Sequence, residues 1–107
     1  MDEITSYAAW QKILSQHEAL LLFVKTDHCS VCDGLYPQVE AYEKEYPFPF
    51  LYVNAAKVPE MAGQLSLFTA PVVLLFRQGK ETTRFARFVP MDPLVKRLDE
   101  LKEALEK

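Results

Sequence analysis

The chain holds two cysteines, and both fall in one four-residue segment, Cys29-Ser30-Val31-Cys32. Residues three apart in the first turn of a helix share a face and approach within disulfide distance, so a bond between these thiols can open and close locally. That geometry suits thiol–disulfide exchange, in which a thiolate attacks a disulfide sulfur and passes through a mixed disulfide. Paired cysteines at this spacing also make half of a zinc site. Zinc needs two further ligands, and only His17 and His28 are available, with His17 expected on a different helix. Counting ligands disfavours zinc, and the expectation is a redox dithiol rather than an inert buried pair, with no metal and the Cys29–Cys32 disulfide as its only redox group.

Composition narrows the setting. A small secreted domain spreads several cysteines along the chain as cross-links, whereas one close pair points to a reducing compartment, and a cytoplasmic location is expected. The start, Met1-Asp2-Glu3-Ile4, is acidic and polar where an export signal would carry basic residues and an apolar run. The most apolar stretch, Ala19 to Val24, falls far short of the roughly 20 residues that cross a bilayer as a helix, so a soluble protein with no membrane partner is expected. Net charge is -3 and the basic residues are scattered, which argues against nucleic acid as a partner.

The elements that must position the pair can be read from the spacing of apolar residues. At 107 residues, half of them apolar, the chain is expected to form one compact domain over 1–107. Ala8, Trp10, Ile13 and Leu14 predict an opening helix from about Thr5 to His17, with Thr5 or Ser6 as its cap. The run Ala19 to Val24 predicts a central strand covered on both faces. Leu35, Val39 and Tyr42 predict a helix from about Ser30 to Tyr46, continuing through Pro37 with a kink. Phe50 to Asn54 reads as a second strand and Pro59 to Leu65 as a short helix. Val72 to Phe76 and Glu81 to Val89 then form an antiparallel hairpin across Gln78-Gly79-Lys80, and Leu94, Leu98, Leu101 and Leu105 mark a final amphipathic helix. Trp10 and the phenylalanines are expected in the core.

This order, with C-x-x-C after the first strand and Ala70-Pro71 before the hairpin, resembles the thioredoxin family. The match runs from about Leu20 to the C terminus and includes Pro37, five residues after Cys32, and the Gly79 turn. The resemblance implies an α/β thioredoxin fold, a central mixed sheet flanked by helices. It implies a monomeric thiol–disulfide oxidoreductase that reduces a disulfide-containing protein or a low-molecular-weight thiol substrate and is recycled by an upstream reductase. It places Cys29 at a helix N terminus, where unpaired N–H groups and the dipole favour the thiolate, making Cys29 the nucleophile and Cys32 the resolving thiol. Ala70-Pro71 matches the family's cis-proline site, whose preceding residue pairs with an extended substrate segment; the plainer reading is a proline at a strand start.

Departures from the family pattern carry equal weight. Ser30-Val31 stands where Gly-Pro is usual, and both join the candidate tuning residues. Phe23 occupies the place of the family's buried aspartate and cannot accept a proton from Cys32. Phe50 aligns with the lysine that accompanies that aspartate. His28 replaces a tryptophan and is either a cation favouring the Cys29 thiolate, opposed by Asp27, or an exposed loop residue. Lys25 either tunes a thiol or packs its stem while its amine reaches water. Phe23 also motivates an alternative, a binding or adaptor module that uses the Pro71 groove with a secondary or regulatory dithiol. A metal or iron–sulfur centre shared between two subunits through Cys29 is a third reading.

Overall fold

A computed structural model of the chain contains strands β1 (Asp2–Ile4), β2 (Ala19–Lys25), β3 (Phe50–Asn54), β4 (Val72–Arg77) and β5 (Lys80–Ala86). Helices α1 (Tyr7–Gln16), α2 (Ser30–Glu40), α3 (Pro59–Gln64) and α4 (Met91–Leu105) lie between and after them, with a short 3-10 turn at Glu43–Glu45. The strands form one sheet in the order β1-β3-β2-β4-β5. β3 runs parallel to both β1 and β2, whereas β4 runs antiparallel to β2 and β5 to β4. This is a central mixed sheet flanked by helices, the architecture that the resemblance implies.

β2 is central because every residue from Ala19 to Val24 is apolar and both faces of the strand are covered. Successive side chains point to opposite faces, so Leu20, Leu22 and Val24 enter one core while Ala19, Leu21 and Phe23 enter the other. The first core includes Trp10 from α1 and Met61 from α3, with Trp10 edge-on to Phe76 at 5.0 Å between ring centres. The second takes Leu35 and Val39 from α2 and Leu94, Leu98 and Leu101 from α4. No helix is long and apolar enough to cross a membrane.

Several boundaries differ from the sequence expectation for identifiable reasons. β1 was not expected, since two of its three residues are exposed acids; pairing with β3 and burial of Ile4 create it. Ser6 rather than Thr5 caps α1, its Oγ accepting from the Ala9 N–H at 3.1 Å. α2 passes through Pro37 but ends at Glu40 instead of near Tyr46, and Tyr42 and Tyr46 pack onto the second core from the segment beyond it. β5 ends at Ala86 instead of Val89, because Arg87 turns the chain in the left-handed region and lets Val89 drop into the core. The hairpin itself uses Gln78 and Gly79, both with positive φ, as a tight turn matched to strand twist.

Candidate active site

β2 delivers the chain to the dithiol through a short loop that is fixed by β3. Asn54, the one buried polar residue, donates from Nδ2 to the Asp27 carboxylate at 2.8 Å, while its Oδ1 accepts from the Ala56 N–H at 2.9 Å. The Lys25 carbonyl accepts from the Ala55 N–H at 2.9 Å, so backbone and side chain together tie the loop down. His28 then adopts φ 57°, a left-handed turn, before the helix begins.

Cys29 is the N-cap of α2 and its sulfur accepts from the Cys32 N–H at 3.1 Å. One of the unpaired amides of the helix start is therefore aimed at that sulfur, where the helix dipole also favours negative charge. The cysteines are joined as a disulfide, with their Cα atoms 5.2 Å apart. Their exposure differs: Cys29 is half-buried and Cys32 is 1% exposed.

On one side of α2, Cys32 borders a pocket of about 230 Å³ lined by Phe23, Lys25, Asp33, Tyr36 and Tyr52. Phe23 is fully buried and meets the Tyr36 ring edge-on at 5.6 Å, and Tyr36 meets Tyr52 edge-on at 5.4 Å. Burial, reinforced by the nearby Glu40 carboxylate, pushes the Tyr36 phenol up to about 12, and burial raises Tyr52 as well, with Glu3 adding to it. Both phenols stay protonated at neutral pH, and Asp33 is the only carboxylate lining the pocket. Phe50 pairs with Leu21, and it is Tyr52 that lies beside Phe23.

On the other side, Val31 and Leu35 of α2 face Pro71, Arg87 and Phe88 across a groove of about 440 Å³. The Ala70-Pro71 peptide bond is cis, and the Pro71 carbonyl accepts from the Arg87 N–H at 2.8 Å. Ala70 is partly exposed and its N–H and C=O have no partner within the chain. The large apolar side chains left exposed are Val31 at 61%, Phe68 at 80% and Phe88 at 77%. All three belong to the end of the sheet where β2 stops, β4 starts and β5 stops, the end that carries the dithiol.

The structure thus brings together Lys25, Cys29, Val31, Cys32 and Pro71, with Ala70 next to Pro71 and with His28 and Ser30 exposed on the loop and first turn. It does not bring His17, which caps the C terminus of α1 at the far end of β2, about 23 Å along a seven-residue strand. The largest depression, about 720 Å³, also lies at that far end, among residues such as His17, Tyr46 and Leu105, and contains no cysteine. Asn54 and Arg87 were not anticipated. A lone amide closing an otherwise apolar strand was the available signal for Asn54; nothing in the sequence marked Arg87.

The family model described as Thioredoxin matches residues 3–100. The thioredoxin-like protein YdfQ of Bacillus subtilis is 34% identical over 99 residues, covering 92% of this chain and 88% of that protein. A thioredoxin of Chlamydia trachomatis is 35% identical over 69 residues, 64% of this chain and 68% of its own length. Among solved structures, a Plasmodium falciparum thioredoxin superposes with a TM-score of 0.86 at 20% identity, covering 94% of this chain and 98% of that one. A Fasciola hepatica thioredoxin gives 0.85 at 23% identity with the same coverage.

Proposed function

Since the chain belongs to the thioredoxin family, whose general activity is thiol–disulfide exchange, we propose that it reduces disulfides of protein or small-molecule substrates through Cys29 and Cys32. In the reduced protein the Cys29 thiolate attacks one sulfur of a substrate disulfide. A Cys29–substrate S–S bond forms, the substrate S–S bond breaks, and the second substrate sulfur leaves as a thiolate. Cys32 then attacks the Cys29 sulfur, closing the Cys29–Cys32 disulfide and releasing the other substrate thiol. The substrate gains two electrons and two protons and the protein loses them.

One observation carries this reading: the half-buried Cys29 sulfur caps a helix and accepts an amide hydrogen bond, while Cys32 is covered directly behind it. That division fits an attacking thiolate and an internal resolving thiol. Ala70, with free backbone groups beside Pro71, suits a substrate segment added in extended form. No carboxylate stands in the place of Phe23, so the Cys32 proton passes to the departing substrate thiolate or to water. An upstream reductase returns two electrons in a reducing, cytoplasmic setting, and the protein works as a monomer with no metal or other cofactor.

The test is a Cys32→Ser variant exposed to a disulfide substrate. It should accumulate a stable mixed disulfide through Cys29, visible by mass as protein plus substrate and released by dithiothreitol. A Cys29→Ser variant should form none. Failure of Cys32→Ser to trap any disulfide substrate would overturn the reading.

The exposed Phe68 and Phe88, together with Phe23, favour a second reading in which the same face holds a partner and the dithiol is secondary or regulatory. It requires that a partner bind equally well to the Cys29→Ser/Cys32→Ser double variant.

A further inference from the structure

The chain has four arginines, and three of them are engaged. Arg84 forms a bidentate pair with Glu81 and donates to the Leu65 and Ser66 carbonyls. Arg97 pairs with Glu100, and Arg77 donates to the Ala104 carbonyl. Arg87 alone has neither an ion pair nor a side-chain hydrogen bond, and it is exposed on the wall of the groove that contains Val31 and Pro71.

Its place there is fixed by the backbone. Arg87 sits at φ 67°, a region that favours glycine, and the turn is pinned on both sides. Its N–H donates to the Pro71 carbonyl at 2.8 Å, and the Phe88 N–H donates to the Ala86 carbonyl at 2.8 Å. A non-glycine residue held in this conformation beside a groove invites a functional explanation. The cation is thereby stationed one residue from Ala70, whose N–H and C=O are free for an extended partner segment.

No acid of the chain competes for it. Asp33 lines the pocket on the other side of α2, Asp27 is held by Asn54, and the exposed Asp92 does not line the groove. The groove therefore presents one unpaired guanidinium, apolar side chains and an open backbone edge, on a protein whose net charge is -3. A guanidinium in such a setting recognises a carboxylate through charge-assisted hydrogen bonds.

We infer that Arg87 selects substrates, favouring disulfides whose flanking extended segment carries an aspartate or glutamate over those flanked by lysine or arginine. The inference rests on the disulfide-exchange reading above and deepens it by naming the class of segment. Charge pairs at a partly exposed rim are modest, so a preference of about threefold to tenfold is expected at low ionic strength, shrinking as salt is added.

The test uses two otherwise identical peptides with one cysteine activated as a thiopyridyl mixed disulfide, flanked by glutamate in one and lysine in the other. Cys29 of the Cys32→Ser protein attacks the peptide sulfur, an S–S bond forms between them, and thiopyridone departs and is read by its absorbance. Rates are normalised to those with dithiothreitol, which removes intrinsic differences between the peptides. The glutamate peptide should react faster. Arg87→Gly, which suits the left-handed backbone, should erase the preference, and Arg87→Glu should reverse it. Equal rates in the parent, or a preference that survives Arg87→Gly, would overturn the inference while leaving disulfide exchange intact. No reaction with either peptide would overturn the exchange reading and this inference with it.

Discussion

The two sides of α2 treat the two cysteines differently. Cys29 has an amide aimed at its sulfur, and the groove between α2 and Pro71 offers exposed apolar side chains, with the free backbone groups of Ala70 next to Pro71. Toward Phe23, Cys32 is covered by aromatic rings whose hydroxyls hold their protons, with only Lys25 and Asp33 as charged neighbours. Under the proposed roles, attack and docking are therefore well provided for, and proton removal from the resolving thiol is not. The contrast teaches that a dithiol can keep the geometry of exchange while the two half-reactions are equipped unequally.

The sharpest way to break that contrast is to place a carboxylate behind Cys32. Phe23→Asp should speed the intramolecular resolving step, measured as decay of a preformed mixed disulfide, by roughly a hundredfold, the lower end of what a positioned base supplies. The cost should be large, because Phe23 is fully buried against Tyr36: about 3 kcal/mol or more in urea unfolding, from lost packing and a buried acid. An unchanged decay rate in a folded variant would mean that proton removal does not limit resolution.

Next in size is the anchor of the loop that serves both sides. Asn54→Ala removes the hydrogen bonds to Asp27 and to the Ala56 amide, and a loss of about 2 kcal/mol is expected, the combined worth of one hydrogen bond to a carboxylate and one to a backbone amide. Because Asp27 precedes His28 and Cys29, the rate of mixed-disulfide formation should fall as well. Asn54→Asp should recover the Ala56 contact but set two carboxylates together, restoring less stability at neutral pH than at a pH low enough to protonate one of them. If Asn54→Ala unfolds like the parent, the loop is held by backbone contacts alone.

Much of the site was legible before the structure. Two cysteines three apart and the apolar run of β2 are local signals, and each landed where its spacing implied, whereas the place of Pro71 beside α2 was expected only from the family resemblance. What escaped depends on register between strands distant in sequence. Tyr52 lies beside Phe23 because β2 and β3 pair in one register, which the sequence of neither strand states by itself. β1 is three residues long and is strand only because the β3 edge accepts it. Arg87 gives no sequence warning, since positive φ is anticipated at glycine and asparagine rather than at arginine.

The smallest effect lies in the aromatic cover over Cys32. Tyr36 is raised to about 12 by burial, with Glu40 adding to it, whereas in the unfolded chain its phenol titrates near its ordinary value of 10. The folded state therefore holds the phenolic proton more tightly than the unfolded state does. The stabilisation this provides is complete below pH 10 and is lost as pH climbs from 10 toward 12. Urea unfolding of the oxidised protein across that window should show a decline that Tyr36→Phe makes shallower, because phenylalanine has no proton to lose. The ring remains in the variant, so packing against Phe23 and Tyr52 persists and stability near neutral pH should change little. If the decline is equally steep without the hydroxyl, the Tyr36 phenol is not the group whose titration drives it, and burial against Phe23 and Tyr52 does not hold its proton.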